Sequence, residues 1–520
     1  MRRISKFGYL FLLIGFTLLS LAACAEIDAE DDAGRVHAEP VRTVRLQPLR
    51  PTDAGDARGY HGAQAESLVS PGGEFRIWWV AEGQHAVPAA DADSSGVPDY
   101  VETVAEVADE VAEALHQSGW KLAMGDHSGD GEAAPGGDGL FDIYLVDFEN
   151  GDGQFVSDWC APNAHGVAQC AGHFRMENDF AGLNYPSPEY AAKLVLSHEY
   201  FHAVQAAYAG DLPSWWSEGS ATWFEEYFDP AQDDFERLTS IYFQDPARAL
   251  NDRTRGATDA HPYGGSIFVY FLEQQIGADG IRRVFERLAT GEELIAAIDA
   301  ELSQVWVPLA EAFEVFAVYN LFTGERAVAQ NGYPEAGRFA GVEVEAQTID
   351  RATNWNLDAN PLGARYLKLS FDAAISLQFM AFEGFENAPR FIALNQDEYA
   401  TSGSMHLIDE AVASEFDRSM SPLYVVVANG HLGPRRAATL KIRLVETGEP
   451  QGPDDSTNND DENNADLDEE GEVADHPGDV SGSSCSATGE GVPLSPVFFA
   501  VFFVVGICRR AYPAAARPSN

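Results

Sequence analysis

The chain has 520 residues, 45% of them hydrophobic, enough for two or three globular cores rather than one small domain. Its 33 Lys and Arg stand against 82 Asp and Glu, a formal net charge of −49 that excludes a nucleic-acid partner, because no basic patch is left to meet a phosphate backbone. The excess acid fits solubility, a saline habitat or cation binding alike.

In chain order, Arg2, Arg3 and Lys6 precede the apolar run FGYLFLLIGFTLLSLAAC, the plan of a secretory signal that is not part of the fold. Leu21-Ala22-Ala23-Cys24 resembles a bacterial lipobox, which implies lipidation of Cys24 as the first mature residue; a cut after Ala25 is the competing reading. Residues 1–24 are therefore read as signal, and the protein is expected in the cell envelope, as an outer-membrane or surface lipoprotein, or secreted. Residues 25–70 are polar, acidic and alanine-rich, and read as a leader or propeptide-like segment.

The ordered body is expected to open with the strand FRIWWV at Phe75. Asp91, Asp93, Ser95, Asp99 and Glu102 then follow the spacing of a calcium loop, with Gly96 at the sharp turn and Glu102 in the bidentate position. A helix, YVETVAEVADEVAEALHQSGW, comes after it, but HAVPAA before it is a poor helix. The stretch is thus a Ca2+ loop outside an EF-hand, or a plain acidic turn capping the helix. A second acidic loop, GDHSGDGEAAPGGDGLFD, lacks the terminal glutamate and leads into the strand LFDIYLVDF. Of five cysteines only Cys160 and Cys170 lie in the body, and in an exported chain they are expected to form a disulfide.

Ser187-Pro188-Glu189 is a helix start, with serine as N-cap, proline at the first position and an acid in the first turn; Gly210 is the stop. The stretch between has no glycine or proline and carries His198-Glu199-Tyr200-Phe201-His202. Two imidazoles four residues apart on a helix share one face and can grip one zinc ion, with the glutamate between them as base for a water. A pair of buried structural histidines would account for the rings but not for the acid, which is costly to bury without a metal or hydrogen-bond partners. Catalytic zinc takes a third protein ligand. A second helix, WWSEGSATWFEEYFD, follows Leu212-Pro213-Ser214, and Glu218 is the expected donor, with Glu225 and Glu226 as competitors or a solvated face.

His198-Glu199-x-x-His202 and Trp216-Ser217-Glu218-Gly219-Ser220-Ala221-Thr222-Trp223 resemble the paired helices of the gluzincin metallopeptidases. The fuller string HEYFHAVQ…WWSEGSATWFEE resembles secreted metallopeptidases of myxobacteria. The resemblance implies a Zn2+ peptidase acting on a peptide or protein, with His198, His202 and Glu218 as ligands and Glu199 as general base and acid. Gln205 and Tyr208 occupy the places of a metzincin's glycine and third histidine, which disfavours that group. Tyr263, before the helix SIFVYFLEQQIG, is placed like the tyrosine that helps stabilise the oxyanion in aminopeptidase-type gluzincins; a tyrosine packed at a helix start is the alternative.

Residues 71–335 read as a mixed α+β domain, zincin-like by the resemblance. Beyond Asn354 the runs ARYLKLSF, ISLQFMAF, PLYVVVAN and ATLKIRLV predict an all-β sandwich-like domain over 350–448. Residues 449–484 are an acidic, self-repelling linker. The segment 485–510, a cysteine, the apolar VPLSPVFFAVFFVVGIC and Arg509-Arg510, resembles the MYXO-CTERM type of sorting signal; a permanent tail anchor is the alternative. Membrane attachment is thus expected through a lipid on Cys24, the C-terminal segment, or both. Three functions compete: a zinc endopeptidase, an aminopeptidase of the same clan, and a calcium-dependent surface-binding protein without catalysis.

Overall fold

The computed structural model describes residues 44–45 and 49–445, apart from 54, 57, 126–136, 149–150, 257, 382–388 and 433–435. The signal with Cys24, the start of the leader, most of the second acidic loop, the acidic linker and the C-terminal segment fall outside the described residues. Among the described residues no helix is long and apolar enough to cross a membrane.

The first part of the chain runs β1 (Val44–Arg45), β2 (Ala65–Val69), β3 (Phe75–Val80), α1 (Asp99–Gln117), β4 (Phe141–Val146), β5 (Gly153–Pro162) and β6 (Ala168–Glu177). The six strands form one sheet in the order β1-β5-β6-β4-β3-β2. β4 is parallel to both β3 and β6, while β2, β5 and β1 join antiparallel. Strand β4 is buried throughout because both faces are covered: Phe141, Ile143 and Leu145 meet the helices, and Tyr144 and Val146 face the other way.

That second face corrects the reading of residues 25–70 as a leader. From Arg50 onward the segment belongs to the fold: Arg50 pairs with Asp142 and Asp158, Arg175 meets Asp56 at 2.8 Å, and the Tyr60 hydroxyl donates to Trp78 O and Leu145 O. Polar residues that look solvated in sequence are counter-ions of a buried network, where each charge needs its partner close by.

The helices follow as α2 (Pro188–Tyr208), α3 (Ser214–Phe228), α4 (Asp234–Gln244), α5 (His261–Gly264), α6 (Ser266–Leu288), α7 (Leu294–Val305) and α8 (Leu309–Leu321). α2 starts where its caps predict, with Ser187 Oγ accepting from Tyr190 N at 3.1 Å. It ends against the β5–β6 hairpin, whose Cys160–Cys170 disulfide is formed. Gly210 N donates to Ala168 O, and a side chain at Gly210 would come within 2.4 Å of Cys170 Sγ, so the close approach requires glycine there.

The last part comprises β7 (Glu345–Ile349), β8 (Thr353–Ala359), β9 (Gly363–Phe371), β10 (Ile375–Ala381), β11 (Arg390–Leu394), α9 (Gln396–Ser402), β12 (His406–Leu407), β13 (Ser414–Phe416), β14 (Leu423–Asn429) and β15 (Arg436–Leu444). Two sheets, β13-β10-β15-β8 and β12-β11-β14-β9-β7, share one core, with Leu367, Leu369, Val425 and Val427 facing Ile375, Leu377, Leu440 and Ile442. The second sheet is apolar on both sides: Tyr366, Ile392, Leu394, Tyr424 and Val426 pack into the helical core instead. The sandwich is therefore fused to the helices. It also grips the segment before α5, since Leu250 N donates to Leu362 O and Ala364 N to Pro246 O.

Candidate metal centre

Helix α2 puts His198 and His202 one turn apart, with their Nε2 atoms 3.0 Å from each other. α3 brings Glu218 Oε2 to 3.4 Å from His198 Nε2 and 3.3 Å from His202 Nε2. The three side chains are only 12, 15 and 14% exposed, and that Glu218 oxygen accepts no hydrogen bond among the described residues. Ligands about 2.0–2.1 Å from a tetrahedral zinc ion lie about 3.3 Å from one another, so the donor set and its spacing fit zinc. A buried carboxylate oxygen facing two imidazole nitrogens is a set that a cation would satisfy.

The remaining ring nitrogens are also occupied. His198 Nδ1 meets Glu225 Oε1 at 2.5 Å, and His202 Nδ1 meets Gln205 Oε1 at 3.0 Å, with Ser217 Oγ 3.3 Å away. Gln205 Nε2 donates to Ser217 O and Ser220 Oγ, which fixes the amide with its oxygen towards His202. With each Nδ1 as the donor, both Nε2 lone pairs are left for a metal.

Glu225 thus stands outside the three-donor group and meets the far ring nitrogen of His198 instead. Burial pushes its carboxyl up to about 7, against the pull of the adjacent His198. Glu225→Gln is expected to weaken zinc binding about 10- to 100-fold, measured by competition with a chelator of known affinity. Unchanged affinity would mean the His198 contact does nothing for the metal.

Glu226 points elsewhere. It is 6% exposed, its Oε2 lacks a hydrogen-bond partner among the described residues, and burial, with Glu236 and Glu335 nearby, pushes its carboxyl up to about 8. A carboxyl that keeps its proton in the fold, yet loses it near 4.5 once unfolded, makes stability fall as pH rises through that window. Glu226→Gln removes this loss. Relative to the wild type, and with the penalty cut by about half because solvent partly screens the site, it is expected to gain about 2 kcal/mol between pH 5 and pH 8 in urea unfolding, and parallel pH profiles would refute a buried proton.

Glu199 sits beside the three donors. Its Oε2 accepts from Phe155 N at 2.8 Å, so strand β5 holds the carboxylate in place. The strand can come this close only because position 153 is glycine: a Cβ there would lie 2.6 Å from Val195 Cγ1 and 2.9 Å from Glu199 Cγ. Burial raises the Glu199 carboxyl above its ordinary value, opposed by His202, His198 and the Phe155 N–H. The sequence reading does not foresee the β5–β6 hairpin, although the glycine in Asp152-Gly153-Gln154 is the available sign of a close backbone approach.

Tyr263 is also brought to the centre. Its ring stacks on His198 with centroids 5.8 Å apart, and its hydroxyl is kept protonated by burial and by the charges of Glu218 and Glu199.

The calcium-loop residues gather only in part. Asp91, Asp93 and Asp99 can direct oxygens to one point, but Glu102 lies outside that group, in the first turn of α1. The carboxylates already accept backbone N–H groups: Ser95 N binds Asp91 and Asp93, Gly96 N binds Asp91, and Ala92 N binds Asp99. Ser95 Oγ turns to Val97 O. These bonds shape the turn but do not cap the helix, since α1 begins after Pro98 without a side-chain cap, and Asp91, Asp93 and Asp99 stay grouped as possible cation ligands.

In comparison with known proteins, the chain matches no family model, and no curated protein matches it.

Proposed function

We propose that this chain is an extracytoplasmic zinc peptidase of the gluzincin type, with a zincin-like catalytic domain, that cuts internal bonds of extracellular proteins. The supporting observation is the convergence of His198 Nε2, His202 Nε2 and Glu218 Oε2 within 3.4 Å, with Glu199 held next to them. These three atoms would hold the ion and leave a fourth position open. When bound, zinc supplies Lewis acidity that activates a water and polarises a carbonyl.

The chain's own groups do the rest. Glu199 accepts a proton from the attacking water and delivers it to the leaving amine, while Phe155 N–H keeps the carboxylate oriented. Tyr263 offers its hydroxyl proton to the oxygen on which negative charge develops. Glu225 and Gln205 hold the ligand imidazoles in the required tautomer. The address outside the cytoplasm rests on the signal and the lipobox-like Leu21-Ala22-Ala23-Cys24.

The test is hydrolysis of internally quenched peptides by the purified chain, with products identified by mass. Activity should vanish with a zinc chelator and return with added Zn2+. Release of N-terminal residues alone would transfer the assignment to an aminopeptidase. Full zinc occupancy without cleavage of any peptide would defeat the enzymatic reading.

A further inference from the structure

The rim beside Glu199 carries a charge without a counter-ion. Asp152 directly precedes Gly153, the residue pressed against Glu199, and its carboxylate accepts a hydrogen bond from the Tyr185 hydroxyl. It forms no ion pair among the described residues. The close approach of Gly153 to Glu199 places Asp152 next to the three-donor group. Tyr185 in turn lies within reach of the charges of Asp234 and Glu225.

Among the described residues, Arg237 interacts with Tyr185 but does not neutralise this region. Arg237 is committed to Asp234 through two bonds of 2.7 and 2.8 Å. What remains among the described residues is a half-buried carboxylate hydrogen-bonded to a tyrosine and forming no ion pair. A partly desolvated carboxylate without a counter-ion attracts the opposite charge, and a neighbouring tyrosine face adds to the binding of a cation.

We infer that Asp152 is a specificity-determining residue that binds a cationic group of the substrate, a lysine or arginine side chain or a free α-amine, next to the bond being cut. The assignment rests on the peptidase reading and gives that site its preferred substrate chemistry. Acidic residues at the same substrate position are disfavoured by the like charge.

Two pairs of quenched peptides test it on the full chain. In the first, N-acetylated peptides carry lysine or norleucine, scanned through the positions on either side of the cut. In the second, the peptides differ only in a free or acetylated N-terminus. The wild type is expected to show a kcat/KM about 10- to 100-fold higher for the cationic member of one pair, and Asp152→Asn, which keeps an acceptor for Tyr185, is expected to abolish that ratio. A lysine preference identifies a side chain as the ligand, and a free-terminus preference identifies the α-amine. Equal rates within both pairs, or a preference that survives in Asp152→Asn, overturns the inference.

Binding to the zinc-loaded Glu199→Gln protein, with and without Asp152→Asn, repeats the comparison without hydrolysis. Failure of the peptidase reading would show as no cleavage by the wild type. Failure of the Asp152 assignment would show as equal affinity for cationic and neutral peptides.

Discussion

Glu199→Gln is expected to lower kcat/KM for peptide hydrolysis by about 10²- to 10⁴-fold while leaving zinc content unchanged, the magnitude of a lost general base and acid. The amide oxygen of glutamine can still accept the Phe155 N–H, so the contact between β5 and α2 survives. Neither His198 nor His202 depends on Glu199 for its Nδ1 hydrogen bond: His198 relies on Glu225, and His202 on Gln205. The one property removed is the ability to take up a proton and pass it on. Kinetics alongside metal analysis of the same preparation check this, and full activity in the variant would sink the mechanism.

Glu218→Ala or His198→Ala is expected to abolish both activity and metal. If zinc binding of about 12 kcal/mol is spread over three donors, losing one weakens it by about 4 kcal/mol, about a thousandfold. A ligand that binds the folded chain alone also stabilises it. A chelator should therefore lower the melting temperature of the wild type and have no effect on Glu218→Ala. Retention of stoichiometric zinc by that variant would show that Glu218 is not a ligand, whatever its distance from the imidazoles.

The two expectations differ in how visible they are in the chain. The placing of His198, Glu199 and His202 on one helix follows from local rules: the Ser187 cap, the lack of breakers, and the stop at Gly210. The roles of Glu218, Glu225 and Glu226 do not, because three glutamates on one helix look alike until its orientation is known. Helical phase gives a partial sign. At about 100° per residue, Glu225 lies about 20° from Glu218 around the axis of α3, and Glu226 about 80°. Glu225 shares the histidine-facing side and reaches the back of His198, while Glu226 is turned into a separate acidic cluster.

The hairpin that delivers Phe155 to Glu199 is hidden for a different reason. Strand β5 is half-buried along most of its length and its register shifts between Ser157 and Trp159, so no clean alternation marks it. In the sandwich, the run LYVVVAN is buried at every position because β14 packs on both faces. Sequence alternation can announce a strand, but it cannot say that helices cover its second side.

The sequence by itself determined the helix that bears the histidine pair, their shared face, the cysteine pair and the alternating strands of the last region, all set by contacts between residues near one another in the chain. Only the tertiary structure decided which glutamate meets the imidazoles, which one orients them, that a glycine lets β5 press on Glu199, and that the segment from Arg50 is part of the core. Those outcomes depend on groups far apart in sequence, whose meeting is fixed by packing and by the cost of leaving a buried charge without a partner.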